Sequence, residues 1–223
     1  MKDMTVKAWV HFLEASFLVM VLLFTSSCSK ERKNLQLDTL PSTTQAVFPE
    51  KPETVTQPAI SENNTRLPST ILDQYLIPKE QRVAATDFQL PTLDGDPIRL
   101  TSLKGTIVLL DFSTTWCAWC TTQEPHLEKL YEEYRKRSFE ILSIFCKENK
   151  QTVLNKYPSG KHIYPILLDD NGFVSSNQYG VQGYPYYLLI DKQGNIAYYQ
   201  RGYEDKMYDI VSQLIEQLNI ESE

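Results

Sequence analysis

Two cysteines separated by two residues are the part of this sequence best suited to covalent chemistry. Cys117 and Cys120 lie in the segment Trp116-Cys117-Ala118-Trp119-Cys120, between an apolar run and an amphipathic stretch. At the start of a helix, unpaired N–H groups and the positive end of the dipole favour a thiolate, the form of cysteine that attacks disulfides. Residues three apart are neighbours on a helix. The pattern predicts dithiol–disulfide exchange, with Cys117 as nucleophile and Cys120 as resolving thiol.

The cysteine pair has two alternative interpretations, a zinc site and a structural disulfide. Cys117, Cys120 and His126 could be three ligands of a zinc ion, although a second Cys-x-x-Cys pair, which structural zinc sites often contain, is missing. The pair could also form a purely structural disulfide, but a loop this short removes little entropy from the unfolded chain. We therefore expect exchange chemistry without a metal or other cofactor.

The elements on either side of the motif indicate an α/β protein. Residues 106–112 form a nearly continuous apolar run, typical of a strand covered on both faces. Residues 139–145 form a second such run. Between them, apolar side chains recur at helical spacing, at Leu127, Leu130, Tyr131 and Tyr134. Strand, helix and strand in this order predict a parallel pair with a right-handed crossover.

Further elements are predicted before and after this unit. Residues 88–91 and 93–100 indicate two short strands around the Asp94-Gly95 turn. Residues 164–168, 186–190 and 196–199 predict three more strands, the last two paired as an antiparallel hairpin. An apolar stripe from Met207 to Leu218 predicts a final helix.

From about Phe88 to Tyr203, this order of motifs resembles the thioredoxin fold, and in particular the TlpA/ResA-type thiol–disulfide oxidoreductases of the bacterial envelope. The Xaa-Trp dipeptide between the cysteines also resembles, more loosely, the DsbH type of periplasmic reductase. The residues that carry the main resemblance are Gly95, Leu100, Asp111-Phe112, Trp116-Cys117, Cys120, Pro125, residues 169–172, Gly183-Tyr184-Pro185, Ile190-Asp191 and Gly194. The resemblance implies a thioredoxin-like α/β fold: a central mixed sheet flanked by helices, with an N-terminal β-hairpin extension.

The resemblance also implies roles for individual residues. Pro185 should be in the cis form and face the cysteines, although a trans proline that merely starts a strand remains an alternative. Tyr184, Pro185, Trp116 and Trp119 are then expected to bind substrate. Asp111 lies six residues before Cys117, where thioredoxins carry a buried acid that moves a proton from the resolving thiol. Burial would favour its neutral form; the alternative is a solvated aspartate at a strand end.

Several positions near the cysteines depart from the family pattern. ResA-type proteins often have Glu three residues after the second cysteine, where this chain has Gln123, followed by Glu124. Tyr184 replaces a common Thr, and the dipeptide lacks the usual proline, so the reduction potential cannot be transferred from relatives. Cys146, at the end of the second apolar run, is interpreted as a small core residue, with a third redox thiol as the alternative.

The N-terminal part of the chain has the composition of an export signal followed by a tether. Residues 1–27 contain an eight-residue apolar run, Phe17 to Phe24, which fits a signal peptide and is too short to span a bilayer. Small residues precede Cys28, which we expect to be lipidated; ordinary cleavage near Ser27 or an uncleaved anchor are alternatives. Residues 28–75 are rich in Pro and Thr and predict a disordered tether. Residues 76–223 then form the thioredoxin-like domain.

Charge and composition limit the kinds of molecule that this protein is expected to bind. The chain of 223 residues has 22 Lys and Arg against 28 Asp and Glu, a net charge of −6, and it lacks the basic cluster that nucleic-acid binding requires. The expected partners are disulfide-containing exported proteins, a membrane or periplasmic thiol as electron donor, and the membrane through the N-terminal lipid or anchor. We expect a monomer on the periplasmic side of the bacterial envelope, membrane-anchored or periplasmic.

The main functional hypothesis is an enzyme that reduces disulfides of exported proteins. A thiol oxidase or a cytochrome c maturation reductase on the same fold is an alternative, as is a lipoprotein binding module with a structural disulfide. A peroxiredoxin would need the pattern Pro-x-x-x-Thr-x-x-Cys. Thr114 fits that pattern, but Leu110 stands where the proline belongs.

Overall fold

The computed structural model describes residues 69–221, which contain a five-stranded mixed sheet and a separate hairpin. The hairpin pairs β1 (Gln89–Leu90) with β2 (Ile98–Arg99) in antiparallel register. The strands of the main sheet are β3 (Ile107–Ser113), β4 (Phe139–Cys146), β5 (Ile166–Asp169), β6 (Tyr186–Ile190) and β7 (Ile196–Arg201). Their order is β5-β4-β3-β6-β7, with β3, β4 and β5 parallel and β6 and β7 antiparallel to their neighbours.

Within residues 69–221, four α-helices accompany the strands. They are α1 (Ser69–Tyr75), α2 (Ala118–Tyr134), α3 (Lys150–Lys156) and α4 (Met207–Ile220). Two 3-10 helices (Lys79–Gln81 and Leu100–Leu103) and a π-helix (Phe173–Gln178) complete the elements. The predicted thioredoxin-like α/β architecture and its N-terminal β-hairpin are confirmed.

The central strand β3 is buried on both faces, as its apolar run predicts. Successive side chains of a strand point to opposite sides of the sheet. Ile107 and Leu109 accordingly pack in a core with α2 and α4. Val108, Leu110 and Phe112 pack in a second core, with the hairpin and the chain after β5. This double cover places the carboxyl end of β3, and the cysteine motif that follows it, at the edge of a rigid sheet.

The described part begins inside the segment that the sequence assigns to the tether. Residues 69–75 form α1, where Leu72 is buried in the core that includes α4. The ring of Tyr75 lies edge-on to Tyr198, with 6.2 Å between centroids. The folded part therefore includes seven residues that composition alone places in the tether, because two well-spaced apolar side chains suffice to dock a short helix.

The expected signal peptide at residues 1–27, the lipidation site at Cys28 and the tether up to residue 68 lie outside the described residues. Within residues 69–221, no helix has the length and apolar character needed to cross a membrane.

Candidate active site

The cysteine motif forms the junction between β3 and α2. Cys117 and Cys120 are joined by a disulfide, and Cys117 is the N-cap residue of α2. The backbone N–H of Cys120 donates to Cys117 Sγ, with an N···Sγ distance of 3.0 Å. The same amide would stabilise negative charge on that sulfur after reduction, because hydrogen bonds to an ionised acceptor are stronger. The geometry fits Cys117 as the thiolate.

The two sulfurs are nearly buried while the tryptophans beside them are not. Cys117 and Cys120 are 6% and 7% exposed, whereas Trp116 and Trp119 are 73% and 59% exposed. Each indole contacts a tyrosine ring. Trp116 lies edge-on to Tyr184 with 5.9 Å between ring centroids, and Trp119 lies against Tyr203 with 5.0 Å between ring centroids. The motif is therefore surrounded by an exposed aromatic surface. Tyr203 was not predicted as part of it, since only the fold brings the chain after β7 to this place.

Tyr184 and Pro185 reach the motif through the pairing of β3 with β6. Phe112 pairs with Tyr186, so the residues just before β6 lie beside the chain that leaves β3. The Tyr184–Pro185 peptide bond is cis, as the resemblance implies. Burial raises the pKa of the Tyr184 hydroxyl above its ordinary value, so this side chain is neutral at physiological pH.

Asp111 is a buried acid on the face of β3 that carries Ile107 and Leu109. Its Oδ2 accepts a hydrogen bond of 2.7 Å from Ser143 Oγ on β4, while its Oδ1 has no protein partner. Burial raises the pKa of Asp111 to about 7, opposed by the Ser143 hydrogen bond and helped by the negative charge of Glu124. Asp111 can therefore take up and release a proton near neutral pH.

A cavity of about 230 Å³ connects this acid with the resolving cysteine. Asp111, Cys120, Glu124, Ser143 and Lys156 are among the residues that line it. Burial and the neighbouring Glu128 raise the pKa of Glu124, while the Lys156 ammonium lowers it. The cavity places the sulfur of Cys120 beside carboxyl and ammonium groups, which is a suitable arrangement for proton transfer once the disulfide is reduced.

The departure at Gln123 leaves a carboxyl group on the next residue. Gln123 is fully buried, and its Oε1 accepts a hydrogen bond of 3.3 Å from Glu204 N–H, away from the cavity. Glu124, one position later, lines the cavity. The family position thus carries no charge in this chain, and Glu124 supplies the carboxyl group near Cys120.

Two residues that sequence reasoning missed hold the segment around the motif. Glu148 accepts hydrogen bonds from the N–H and the hydroxyl of Thr115, at 2.7 and 2.5 Å. Lys156 Nζ donates to the carbonyl of Thr115 and to Thr121 Oγ1. Asn149, which caps α3 through the N–H of Thr152, is the local signal from which this helix could have been predicted.

Cys146 lies in the core rather than at the surface of the site. Its thiol donates to the carbonyl of Ile144 at 3.3 Å, and burial raises its pKa to about 12. A thiol in this environment stays protonated and unreactive at neutral pH. The interpretation of Cys146 as a core residue agrees with this position.

Comparison with known proteins assigns the family. The model of the AhpC/TSA family matches residues 82–199, about half of the chain. The chain belongs to the AhpC/TSA family. Within residues 69–221, no three His, Cys, Asp or Glu side chains are grouped so that they could hold a metal ion.

Curated relatives of this AhpC/TSA member carry the name thiol-disulfide oxidoreductase ResA. The protein from Halalkalibacterium halodurans is 34% identical over 113 residues, which cover 51% of this chain and 64% of that protein. The protein from Bacillus thuringiensis subsp. konkukian is 31% identical over 122 residues, covering 55% of this chain and 70% of that protein. These relatives confirm the predicted ResA-type resemblance, and the match spans just under two thirds of the first of them.

A solved structure confirms the fold. The match is a protein from Chlorobium tepidum, described provisionally as a thiol:disulfide interchange protein DsbE. It is 23% identical, covers 61% of this chain and 96% of its own, and superposes with a TM-score of 0.57.

Proposed function

We propose that this protein is a thiol–disulfide oxidoreductase that reduces disulfides of exported proteins through Cys117 and Cys120. One observation carries the proposal: the pair lies at the start of α2 with the Cys120 amide directed at Cys117 Sγ. The names of the ResA relatives support the same activity.

The reaction follows from the placement of the two thiols. In the reduced protein, the Cys117 thiolate attacks one sulfur of a substrate disulfide and displaces the other as a thiolate, forming a mixed disulfide. Cys120 then loses its proton and attacks Cys117 Sγ, which releases the second substrate thiolate. Two electrons have passed to the substrate, and Cys117–Cys120 is again a disulfide. An external dithiol must supply the next two electrons.

Asp111 is proposed as the proton relay for the resolving step. It shares the cavity with Cys120, and its pKa of about 7 lets it accept the Cys120 proton and later return it to solvent. Acid–base groups work best when their pKa lies near the working pH.

The aromatic surface is proposed to bind the substrate. Trp116 and Trp119 adjoin the almost buried cysteines in the chain, and Trp116 lies edge-on to Tyr184, which directly precedes Pro185. Aromatic side chains offer a large contact area, so they can hold an apolar peptide segment while its disulfide reaches Cys117.

We further propose a location on the periplasmic side of the bacterial envelope. The apolar run before Cys28 and the Pro- and Thr-rich segment after it support export and tethering. A membrane or periplasmic thiol would then be the electron donor, and the protein would act as a monomer.

Trapping of the mixed disulfide tests whether this protein exchanges disulfides with substrate proteins. In a Cys120→Ser variant, the mixed disulfide cannot be resolved, so Cys117 should remain linked to substrate proteins on non-reducing gels. The matched Cys117→Ser variant should trap nothing, because it lacks the nucleophile. Equal trapping by both variants would contradict the proposed roles.

A redox titration decides between the remaining functions. We expect a reversible two-electron transition of the Cys117–Cys120 pair in dithiol buffers, measured by acid quench, alkylation and mass spectrometry. A potential far below about −300 mV, the range of inert structural disulfides, would favour a binding module. A strongly oxidising potential would favour a thiol oxidase, whereas selective reduction of apocytochrome c would favour a cytochrome c maturation reductase.

The AhpC/TSA match makes peroxide reduction the second candidate. Thr114 is buried beside the motif, but Leu110 replaces the proline of the peroxidatic pattern, and Cys117 already pairs with Cys120. We expect no consumption of hydrogen peroxide beyond that of the Cys117→Ser variant. Rapid turnover that depends on Cys117 would overturn the reductase assignment.

A further inference from the structure

A single ammonium group bridges the two sides of the cysteine motif. Lys156, the last residue of α3, donates from Nζ to the carbonyl oxygen of Thr115 at 2.8 Å and to Thr121 Oγ1 at 2.7 Å. Thr115 is two residues before Cys117, and Thr121 directly follows Cys120. One side chain from a distant element thus fixes both ends of the redox segment.

The charge of Lys156 also belongs to the site. Both oxygens that it binds are neutral, and its positive charge acts on the cavity, where it lowers the pKa of Glu124. Lys156 and Cys120 line the same cavity. The other titratable or charged groups that face this cavity are Asp111, Glu124, Glu128, Tyr157, Tyr164, Lys161 and His162.

Thr115 is also held by hydrogen bonds on the side that faces away from Lys156. The Thr115 N–H and hydroxyl both donate to Glu148, while its carbonyl accepts from Lys156. The chain entering the motif is therefore held at once by Glu148, in the connection between β4 and α3, and by Lys156 of α3. Loss of the Lys156 contacts would free the carbonyl of Thr115 and the hydroxyl of Thr121 together.

We propose that Lys156 is a positioning residue for the Cys117–Cys120 pair, which stabilises the reduced state by fixing the N-terminus of α2 and placing a positive charge on the Cys120 cavity. This inference rests on the proposed function. Reduction of the disulfide takes up two electrons from a dithiol and one proton when Cys117 is left as a thiolate. A nearby cation favours that product and shifts the equilibrium towards the dithiol.

The test compares three variants of the full chain. Lys156→Met removes the charge and both hydrogen bonds, and Lys156→Arg retains a cation with several donors. Lys150→Met removes the same charge from the exposed first residue of the same helix. Two quantities are measured by mass spectrometry on the Cys117 peptide: the rate of alkylation by iodoacetamide between pH 5 and 9, and the equilibrium with dithiothreitol.

For Lys156→Met we expect alkylation of Cys117 at neutral pH to slow by roughly threefold or more, with its pH profile displaced upwards, as one lost charge interaction requires. The equilibrium constant for reduction should fall by a similar factor. Lys156→Arg should restore most of both quantities, and Lys150→Met should leave both unchanged.

Two results would overturn the proposal. One is an unchanged alkylation profile and equilibrium in Lys156→Met, even with a lower melting temperature by circular dichroism, because the contacts would then be only structural. The other is an equal effect of Lys150→Met, which would indicate net charge alone. Alkylation needs no protein substrate, so a chain without exchange activity could still show the Lys156 effect, and the two failures are distinguishable.

Discussion

Asp111 is a residue whose acid–base behaviour depends strongly on the surrounding fold. Its carboxyl group lies in the core between β3 and α2, with one hydrogen bond from Ser143. In the unfolded chain the same group is surrounded by water and ionises near its ordinary pKa of 3.8, but burial raises the pKa in the folded protein to about 7. The folded state therefore binds a proton more tightly than the unfolded state.

This difference predicts how stability depends on pH. Between about pH 4 and pH 7, Asp111 is ionised in the unfolded chain but still protonated in the folded protein. The stabilisation that Asp111 contributes to the folded state is therefore complete below about pH 4 and is lost as the pH rises through about 7. Asp111→Asn should remove this pH dependence and raise the free energy of unfolding at pH 8 by up to about 4 kcal/mol. Urea unfolding at pH 5 and pH 8, followed by circular dichroism, measures the effect. Equal pH slopes in both proteins would contradict it.

The connection between β5 and β6 shows how one carboxylate organises an element. Asp169, the last residue of β5, accepts hydrogen bonds from the N–H groups of Val174 at 3.2 Å and Ser175 at 2.7 Å. These amides begin the π-helix, where they have no partner within the helix. Gly172, with a φ of +70°, allows the tight turn between the two.

Asp169→Ala should leave two buried N–H groups without an acceptor. We expect a loss of about 2–4 kcal/mol in the free energy of unfolding, since each unsatisfied buried donor costs about 1–3 kcal/mol. The comparison is Asp169→Asn, which keeps one carbonyl acceptor and should lose less. A chemical denaturation series gives both values, and an equal loss in the two variants would show that the carboxylate does not act through these amides.

The longest elements that the sequence predicted share one property, an extended apolar pattern. The runs at 106–112 and 139–145 correspond to β3 and β4, and the stripe from Met207 corresponds to α4. The helices α1 and α3 and the π-helix were missed. Each has only six or seven residues, too few for a helical period to be distinguished from chance, and tertiary contacts stabilise them.

At the scale of the whole molecule, Arg82 links chain segments that are far apart in sequence. Its guanidinium is 2% exposed and pairs with Asp191, in the turn between β6 and β7, and with Glu221 after α4. Its Nε also donates to the carbonyl of Ile77. The segment before the hairpin is thereby attached to the far edge of the sheet and to the end of the last helix.

Replacement of Arg82 should therefore destabilise the whole domain. Arg82→Met leaves the buried Asp191 carboxylate without its cation, and we expect a loss of about 3 kcal/mol or more. Arg99→Met is the control, because the Arg99–Asp87 ion pair is exposed and such pairs contribute less than about 1 kcal/mol. Thermal unfolding by circular dichroism compares them, and similar melting temperatures would contradict the role of Arg82.

The candidate site was predictable only as far as its residues are close in sequence or recognisable from the family. Cys117, Cys120, Trp116 and Trp119 lie in one segment, and the Tyr184-Pro185 pair was found through the resemblance. The sequence did not predict Glu148, Lys156, Ser143 and Tyr203, because each joins the site from another element through a contact that no local pattern encodes. These supporting contacts depend on the register of the sheet and the docking of α3.

The position of Trp116 and Trp119 directly next to the disulfide cysteines in the chain has a consequence for the fluorescence of the protein. Trp116 and Trp119 are the tryptophans of the described part, and Trp9 lies outside it. A disulfide quenches a neighbouring excited indole by accepting an electron from it. We therefore expect the tryptophan fluorescence of the oxidised protein to be weak and that of the reduced protein to be strong. The emission intensity should then report the redox state of the cysteine pair without any unfolding.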